Sequence, residues 1–313
     1  MLALVLAGCS PERYPQTALL PLSDFARIGD HVQDQTFYWA VGVFVLVEGA
    51  LLYAIFRFRG RPDDPEPKQV HGNTTVEIIW TIIPALILAF IAVPTVKGIF
   101  LTNARPGPDA LRIEVVGHQW WWEFRYPEAG VVTANELVIP AGRTVELIQH
   151  SADVIHSFWP PRFAGKRDVF PGRETRLWFK ADSTGLYPGQ CAEFCGIQHA
   201  EMKATVEAMP AAEFEDWLAA EARAQEAGTS NLGAETFAGA CAKCHGLAGQ
   251  GDIGRRLQGN KVLSNAKTIE QIVRNGLPPR PGRLGMPPVG KDWEERQLTA
   301  LTAYLQKEFL NGG

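Results

Sequence analysis

Cysteine and methionine are scarce in this sequence, and its net charge is small. The 313 residues include five cysteines and four methionines. Four of the cysteines fall within two short motifs and the fifth is Cys9, so no pair is left over for a structural disulfide. The formal net charge of -4 identifies no partner by its sign, and we expect no nucleic-acid partner. We therefore expect the cysteines to take part in chemistry rather than to form stabilising disulfides.

The two cysteine motifs carry most of the recognisable chemistry of the chain. The first reads C-A-E-F-C-G-I-Q-H-A-E-M from Cys191 to Met202, and the second reads C-A-K-C-H from Cys241 to His245. Thiolate, imidazole and thioether groups together select copper among the available metals. Cys-x-x-Cys-His is the attachment sequence for a covalent haem. Two redox centres in one chain predict that the protein transfers electrons.

Two long apolar runs precede residue 102 and predict a membrane hairpin. The first, Phe37 to Phe56, has about the 20 residues that cross a bilayer as a helix. The second, Val76 to Leu101, holds two prolines, which spanning helices tolerate. The short basic loop between them should stay in the cytoplasm, which leaves both ends of the chain outside it. We therefore expect two spans in a bacterial inner membrane, with the rest of the chain on the periplasmic face.

Residues 1–9 resemble the end of a bacterial lipoprotein signal. Leu6-Ala7-Gly8-Cys9 would make Cys9 a lipidated residue outside the cytoplasm, in agreement with the expected topology. No basic segment precedes this short apolar stretch, so we expect the natural start to lie further upstream.

Two acidic residues belong to the apolar runs. Glu48 lies inside the first span, where a carboxyl group is costly. Glu48 could mark a contact with a partner subunit or a proton route, or its protonated carboxyl could form a hydrogen bond between helices. These alternatives remain open. Glu77 begins the second span, where a helix dipole stabilises an anion by about 0.3–1 kcal/mol.

From Leu111 to about Met209 the sequence changes to short runs of β-branched and aromatic residues. Gly142, Pro171-Gly172 and Pro188-Gly189 separate these runs and predict turns. Short strands at this spacing are typical of a β-sandwich or barrel. The four clearest strands are Arg112–Val116, Glu136–Ile139, Arg143–Ile148 and Thr175–Phe179.

Five side chains in this region have the donor atoms of a copper site. His156 and His199 supply imidazoles, Cys191 and Cys195 supply thiolates, and Met202 supplies a thioether. A mononuclear blue copper site needs only one cysteine. Two thiolates can bridge two copper ions with one histidine on each, an arrangement that suits fast electron transfer.

Three other interpretations of this motif remain open at this point. A zinc ion could be bound in a closed tetrahedral site by His156, Cys191, Cys195 and His199. Cys191 and Cys195 could form a disulfide. The donors could also line one helix face, although Pro188-Gly189 and Gly196 favour a loop.

The C-terminal part predicts a helical haem domain. Residues 211–230 indicate a short amphipathic helix followed by a hinge, and another helix leads into the haem motif. Cys241 and Cys244 can add to the haem vinyl groups, and His245 can bind the iron. Zinc binding by this Cys-x-x-Cys would need a second cysteine pair, which is not available. Met286 is the only methionine downstream and becomes the sixth iron ligand by elimination. A final helix is predicted from Trp293 to Phe309.

Residues 25–210 resemble subunit II of cytochrome c oxidase. The resemblance is carried by Val76–Pro84, Gly117–Trp122, Asp153–Ser157 and Gly185–Met202. It implies a cupredoxin fold in which His156, Cys191, Cys195, His199 and Met202 bind a binuclear copper centre, CuA. It further implies a ligand role for the Glu193 carbonyl and a magnesium site, shared with subunit I, at the Glu193 side chain. Glu77 would lie near a proton path, and Trp120 near the surface where electrons enter. The residue that follows Trp120 is more usually tyrosine in this family; here it is Trp121.

The C-terminal part resembles a class I cytochrome c. The expected architecture is therefore multidomain: a two-helix transmembrane hairpin, an all-β cupredoxin sandwich and an all-α cytochrome c domain. The domain ranges are 1–9 for the signal remnant, 25–104 for the hairpin, 105–210 for the copper domain, 211–230 for the linker helix and 231–313 for the haem domain.

The two resemblances together imply subunit II of a terminal oxidase with a fused haem c domain. Its expected partners are subunits I and III, with a soluble or membrane cytochrome c or an upstream complex as donor. The alternatives are the electron-accepting subunit of a CuA-type nitric oxide reductase, a free-standing membrane electron carrier and a copper-delivery protein. The other histidines (His31, His71, His118 and His150) match no ligand position and are expected to be structural or solvent-facing.

Overall fold

The structure of the protein, a computed structural model, describes residues 14–60, 65–66, 68–281 and 284–310. The chain divides into two compact units. One comprises residues 27–105, and the other comprises residues 1–26 together with 106–313.

The unit at residues 27–105 is built from two long apolar helices. Helix α1 covers Asp24–Arg57 and helix α2 covers Thr74–Asn103, with mean hydropathies of 2.1 and 2.5 in their most apolar 18-residue windows. Each is long and apolar enough to cross a membrane, as predicted. Both extend beyond the predicted runs because polar residues at their ends continue the helical hydrogen bonding. At α2 the Asn73 side chain accepts a hydrogen bond from the Val76 N–H at 3.2 Å, and this caps the helix.

The second unit contains a β-sandwich, which confirms the predicted fold. Its two five-stranded sheets have the strand orders β3-β2-β1-β5-β8 and β4-β10-β9-β6-β7. The pairs β1–β5 and β4–β10 are parallel, and the other named pairs are antiparallel. The strands are β1 Leu111–His118, β2 Trp121–Tyr126, β3 Val131–Ala134, β4 Glu136–Pro140, β5 Thr144–Ser151, β6 His156–Trp159, β7 Arg167–Val169, β8 Thr175–Lys180, β9 Gly185–Cys191 and β10 Lys203–Met209.

The turn predicted at Pro188-Gly189 is wrong, because both residues lie inside β9. The Cys191 N–H donates to the Met202 carbonyl at 2.9 Å, so alternate residues of β9 bond to β10. The nitrogen of Pro188 therefore faces the other neighbour, β6. Strand β6 pairs with β9 only at Gln190 and Cys191. Pro188 lies beyond this pairing, so its missing N–H removes no hydrogen bond between the strands.

The sandwich core is aromatic and includes the start of α1. Phe124, Phe158 and Phe179 are fully buried between the sheets. The chain before α1 pairs with the sandwich, since the Leu22 N–H donates to the Arg162 carbonyl at 2.8 Å. Phe25 then packs edge-on against Trp178 with ring centroids 5.5 Å apart.

Helix α3, Ala211–Glu226, packs on the sandwich and is not a free spacer. Phe214 is fully buried, and Trp217 packs against Tyr126 with ring centroids 5.5 Å apart. Near the end of the helix the Gln225 amide donates to the Val132 carbonyl at 2.8 Å and accepts from the Val132 N–H at 3.1 Å. The predicted short helix is present and ends at Glu226, and it is fixed to the edge strand β3.

The C-terminal part is helical, as predicted. Its core is formed by Trp293, Leu298, Leu301 and Phe309. A π-helical turn at Phe237–Cys241 joins the first two helices, and another, Gln306–Leu310, follows the last. The helices are α4 Leu232–Thr236, α5 Ala242–His245, α6 Ala266–Asn275 and α7 Glu295–Leu305.

Candidate metal centres

Two cysteine thiols form the centre of the first candidate site. Cys191 ends β9, and Cys195 lies in the loop that follows it. Their Sγ atoms are 3.8 Å apart, whereas a disulfide bond is about 2.05 Å long. Both are free cysteines, so the disulfide interpretation is not supported.

Each thiol has one imidazole and one weaker donor beside it. His156 Nδ1 lies 4.0 Å from Cys191 Sγ, and the Glu193 carbonyl oxygen lies 3.2 Å from the same sulfur. His199 Nδ1 lies 3.5 Å from Cys195 Sγ, and Met202 Sδ lies 3.7 Å from it. The structure therefore brings together all five predicted side chains and the Glu193 carbonyl.

The donor set is elongated, which bears on the number of ions that it fits. The donor atoms of His156, Cys191 and Cys195 lie within 4.8 Å of one another, and among the described residues His199 does not join that group. Ligands of one tetrahedral zinc ion lie within about 4 Å of one another, because each is 2.0–2.3 Å from the metal. Two thiolates with a histidine at either end instead fit two copper ions that share the sulfurs.

The segment that carries these donors is a loop and not a helix. The described chain leaves β9 at Cys191, forms one 3₁₀ turn at His199–Glu201 and enters β10 at Lys203. The helical-face interpretation is therefore wrong. The Cys191–Met202 backbone hydrogen bond closes this loop at its base, which holds Met202 fully buried beneath the thiols.

Asp153 orients the fully buried imidazole of His156. Its Oδ1 lies 2.7 Å from His156 Nε2, which leaves Nδ1 to face Cys191. The Gln119 and Val154 N–H groups donate to the same carboxylate at 2.6 Å each. Burial opposes ionisation of Asp153, but its hydrogen bonds to His156 and to these two N–H groups hold its pKa below the usual value. A metal-ligating histidine commonly has such a carboxylate on its second nitrogen, and our sequence reasoning did not assign this role to Asp153.

One of the two thiols loses its proton readily and the other retains it. The hydrogen bond from the Cys195 thiol lowers the pKa of Cys191, with further help from His156 against the effect of burial. The same hydrogen bond, with burial, raises the pKa of Cys195. The site thus holds one ready thiolate, and a cation would have to displace the second proton.

Trp120 and Gln119 contact the loop from the side of β1. The Trp120 indole N–H donates to the Cys195 carbonyl at 3.1 Å, and the Gln119 amide donates to the same oxygen at 2.6 Å. Trp120 is half-buried. Trp120, which was predicted to lie near the surface where electrons enter, therefore donates a hydrogen bond to the backbone of Cys195, a candidate copper ligand.

The second candidate site has the residues for a covalent haem. His245 Nδ1 lies 2.6 Å from the Arg255 carbonyl oxygen, so Nδ1 donates its hydrogen and Nε2 remains free to bind iron. Cys241 is buried and Cys244 half-buried, and burial raises the pKa of Cys241 to about 12. Met286 packs against the core of this part, and its backbone pairs with Leu277 through hydrogen bonds of 2.8 and 2.9 Å.

Glu77 and Cys9 belong to neither donor set. The Glu77 carboxylate accepts a hydrogen bond from the Asn73 N–H at 3.2 Å, which completes the cap of α2. Cys9 lies outside the described residues. Among the unassigned histidines, His118 is buried, with Nε2 3.0 Å from Glu123 Oε2.

Three family models match successive parts of the chain. Residues 23–97 match the transmembrane domain of cytochrome c oxidase subunit II, and residues 130–209 match its periplasmic domain. Residues 229–305 match subunit III of cbb3-type cytochrome c oxidase.

Relatives cover the chain from end to end. Cytochrome c oxidase subunit 2 of Alkalihalophilus pseudofirmus is 33% identical over 97% of this chain and 94% of its own length. The subunit 2 of Synechocystis sp. is 36% identical over 59% of this chain and 70% of its own length. A crystal structure of the periplasmic domain of subunit II from Bradyrhizobium japonicum is 34% identical, with a TM-score of 0.36, over 38% of this chain and 96% of that domain.

These matches confirm the predicted architecture of two apolar helices, a cupredoxin-like sandwich and a cytochrome c domain. They imply a copper centre and a haem, which the donor sets described above fit. They also make the chain part of an oxidoreductase complex that contains haem and copper. The chain belongs to the cytochrome c oxidase subunit II family.

Proposed function

We propose that the chain accepts electrons from a cytochrome c at its own haem c and passes them through CuA to the haem–copper centre of subunit I. The observation that carries this proposal is a contact between the two candidate sites. The Gln198 amide nitrogen lies 3.8 Å from Cys244 Sγ, the sulfur that would hold the haem, and Gln198 directly precedes His199 in the chain. The candidate ligand residues of one centre thus adjoin those of the other.

The residues of the copper domain, residues 105–210, have separate roles in this proposal. His156, Cys191, Cys195, His199 and Met202, with the Glu193 carbonyl, would hold CuA, which would exchange single electrons with little change in its surroundings. Asp153 fixes the His156 ring. Gln119 and Trp120 fix the Cys195 carbonyl, and Trp120 lies on the side where electrons enter.

The haem domain, residues 231–313, would bind its haem through Cys241 and Cys244. His245 and Met286 would be the two iron ligands, and methionine ligation raises the reduction potential of a haem. Residues 211–230 attach this domain to the copper domain.

The membrane arrangement follows from the hairpin, residues 25–104. Its basic loop lies in the cytoplasm, so the copper and haem domains face the periplasm from a bacterial inner membrane. Cys9, at the end of the signal remnant formed by residues 1–9, is the lipidated residue on that same face.

Subunits I and III are the membrane partners, and a soluble or membrane cytochrome c or an upstream complex is the donor. The Glu193 carboxylate reaches a magnesium site completed by subunit I. Glu77 lies near the path by which protons reach subunit I.

Optical and EPR spectroscopy of the affinity-purified complex tests this proposal. We expect a c-type haem and a mixed-valence copper signal from one complex, together with transfer of electrons from haem c to copper. The complex is then assayed with oxygen and with nitric oxide. Turnover of nitric oxide alone would assign the chain to a CuA-type nitric oxide reductase, and a mononuclear copper signal would contradict the ligand assignment.

A further inference from the structure

Lys243 lies between the two haem-binding cysteines, yet its side chain is bonded to the copper domain. Its ammonium group donates to the Trp120 carbonyl and, at 2.9 Å, to the Glu201 carbonyl. In return the Gln198 amide donates to the Lys243 carbonyl at 3.2 Å. The haem motif is thus held at three points, two on the segment that carries the candidate copper ligands and one at Trp120.

Trp121 makes a contact in the opposite direction, from the copper domain into the haem domain. It belongs to β2 of the copper domain, but it is fully buried and packs within the core of the haem domain. Its ring meets Trp293 edge to face, with centroids 5.3 Å apart and an interplanar angle of 89°. On its other side it stacks on His118 at 4.5 Å, and His118 is held by the buried Glu123.

The haem domain also approaches the sandwich closely beside these contacts. A Cβ atom on Gly239 would lie 2.7 Å from Asn135 Nδ2, so a larger residue there would displace a side chain whose Oδ1 accepts from the Trp122 N–H. Arg296 of the haem domain donates to the Gly130 carbonyl at the other side of β3. The contact therefore extends from the copper loop along the edge of the sandwich.

We propose that Lys243 and Trp121 are positioning residues that fix the haem domain in a single pose on the copper domain. Electron transfer between the two centres then needs no docking step. This inference rests on the proposed function. A tethered donor must find its acceptor after each reduction, whereas here the position of the donor is fixed by a core that the two domains share.

The contact between the two domains is polar at Lys243 and apolar at Trp121. Lys243 satisfies two backbone oxygens of the copper domain, and no other charged side chain is bonded to these two oxygens among the described residues. Trp121 supplies part of the apolar core of the haem domain, where it packs against Trp293. Loss of either side chain should release the pose without removing a metal ligand.

The test measures the rate of electron transfer from photoreduced haem c to CuA in the purified complex as glycerol raises the viscosity. The wild-type rate should not depend on viscosity. Lys243→Met should slow transfer by about tenfold or more and make the rate fall with viscosity, because the haem domain must then return to its place by diffusion. Lys307→Met, at a side chain that is 82% exposed, is the matched control and should behave as wild type.

Amide hydrogen exchange of the same samples gives a readout independent of turnover. Exchange should quicken in Lys243→Met at residues 198–202 and 237–245, and Lys243→Arg, which keeps the donor, should restore slow exchange. Trp121→Leu should reproduce the viscosity dependence through the apolar contact.

The outcomes separate this inference from the proposed function. A Lys243→Met complex with intact haem and copper spectra and a wild-type, viscosity-independent rate would overturn the inference. A wild-type complex that lacks one centre, or that passes no electrons between them, would instead overturn the proposed function.

Discussion

Asp153 Oδ1 lies 2.7 Å from His156 Nε2, so a carboxylate decides which nitrogen of a buried histidine faces the sulfur pair. Asp153→Asn would remove the charge and weaken this orientation. We expect copper affinity to fall by about 10–100-fold, the usual cost of losing such a partner. Competition with a copper chelator measures the change, and exposed Asp109→Asn is the control. Unchanged affinity in Asp153→Asn would show that the loop alone orients His156.

Met286→Leu tests the iron ligand that was chosen by elimination. Leucine has a similar volume but no sulfur, so the haem should remain attached through Cys241 and Cys244 while the iron loses its thioether. We expect a lower midpoint potential for haem c, because methionine ligation raises it. Redox titration of the complex measures the shift. Met209→Leu, in β10, should leave the potential unchanged; equal potentials in both variants would exclude Met286 as a ligand.

Glu235, in the short helix α4, predicts a pH-dependent stability. Burial, with repulsion from Glu136 and Glu221, raises its pKa to about 7 from 4.5. Below pH 4.5 the group is protonated in both states and stability is unaffected. Between pH 4.5 and 7 the unfolded chain loses the proton first, so stability falls as the pH rises and stays lower above pH 7.

Glu235→Gln should therefore stabilise the chain by about 1–3 kcal/mol above pH 7 and by little below pH 4.5. Thermal unfolding of the full-length protein across this pH range measures the difference. Exposed Glu226→Gln should not change the pH profile. A pH-independent effect of Glu235→Gln would mean that the carboxyl titrates normally.

Gln225→Ala tests the attachment of α3 to the sandwich. The variant leaves the N–H and carbonyl of Val132 without their present partners in a buried position. We expect a loss of about 1–3 kcal/mol in the free energy of unfolding. Denaturant unfolding measures it, with the adjacent exposed Glu226→Ala as control. If the two variants lose the same stability, the cost reflects helix propensity and not the buried hydrogen bonds.

The sequence predicted those parts of the fold whose signals are local. Apolar length identified both apolar helices, and runs of β-branched or aromatic residues with partial alternation identified β1, β4, β5 and β8. Strand β9 was missed because Pro188 and Gly189 normally end strands, and only the limited pairing with β6 makes them acceptable here. The short strands β6 and β7 carry too few residues for a periodic signal.

For the candidate sites, too, the sequence predicted the residues with a local signal and not those without one. The two cysteine motifs, with His156 and Met286, indicated the candidate copper and haem ligands, because few other groups share that chemistry. The residues that orient and join the sites left no such signal. Lys243 and Trp120 are 123 positions apart in the chain, and nothing local to either predicts that one donates to the other. Trp121 appeared to be one more aromatic residue of the sandwich, whereas its partners belong to the other domain.

The burial of Trp121 in the haem domain has a consequence for biogenesis. A strand that precedes the haem motif by more than a hundred residues completes the core on which that motif folds. Chains fold from the N-terminus as they are synthesised, so the sandwich is available as a template when the last helices emerge. Haem attachment would then act on a polypeptide already organised by its neighbour. The haem domain expressed by itself should be a poor substrate for the attachment machinery.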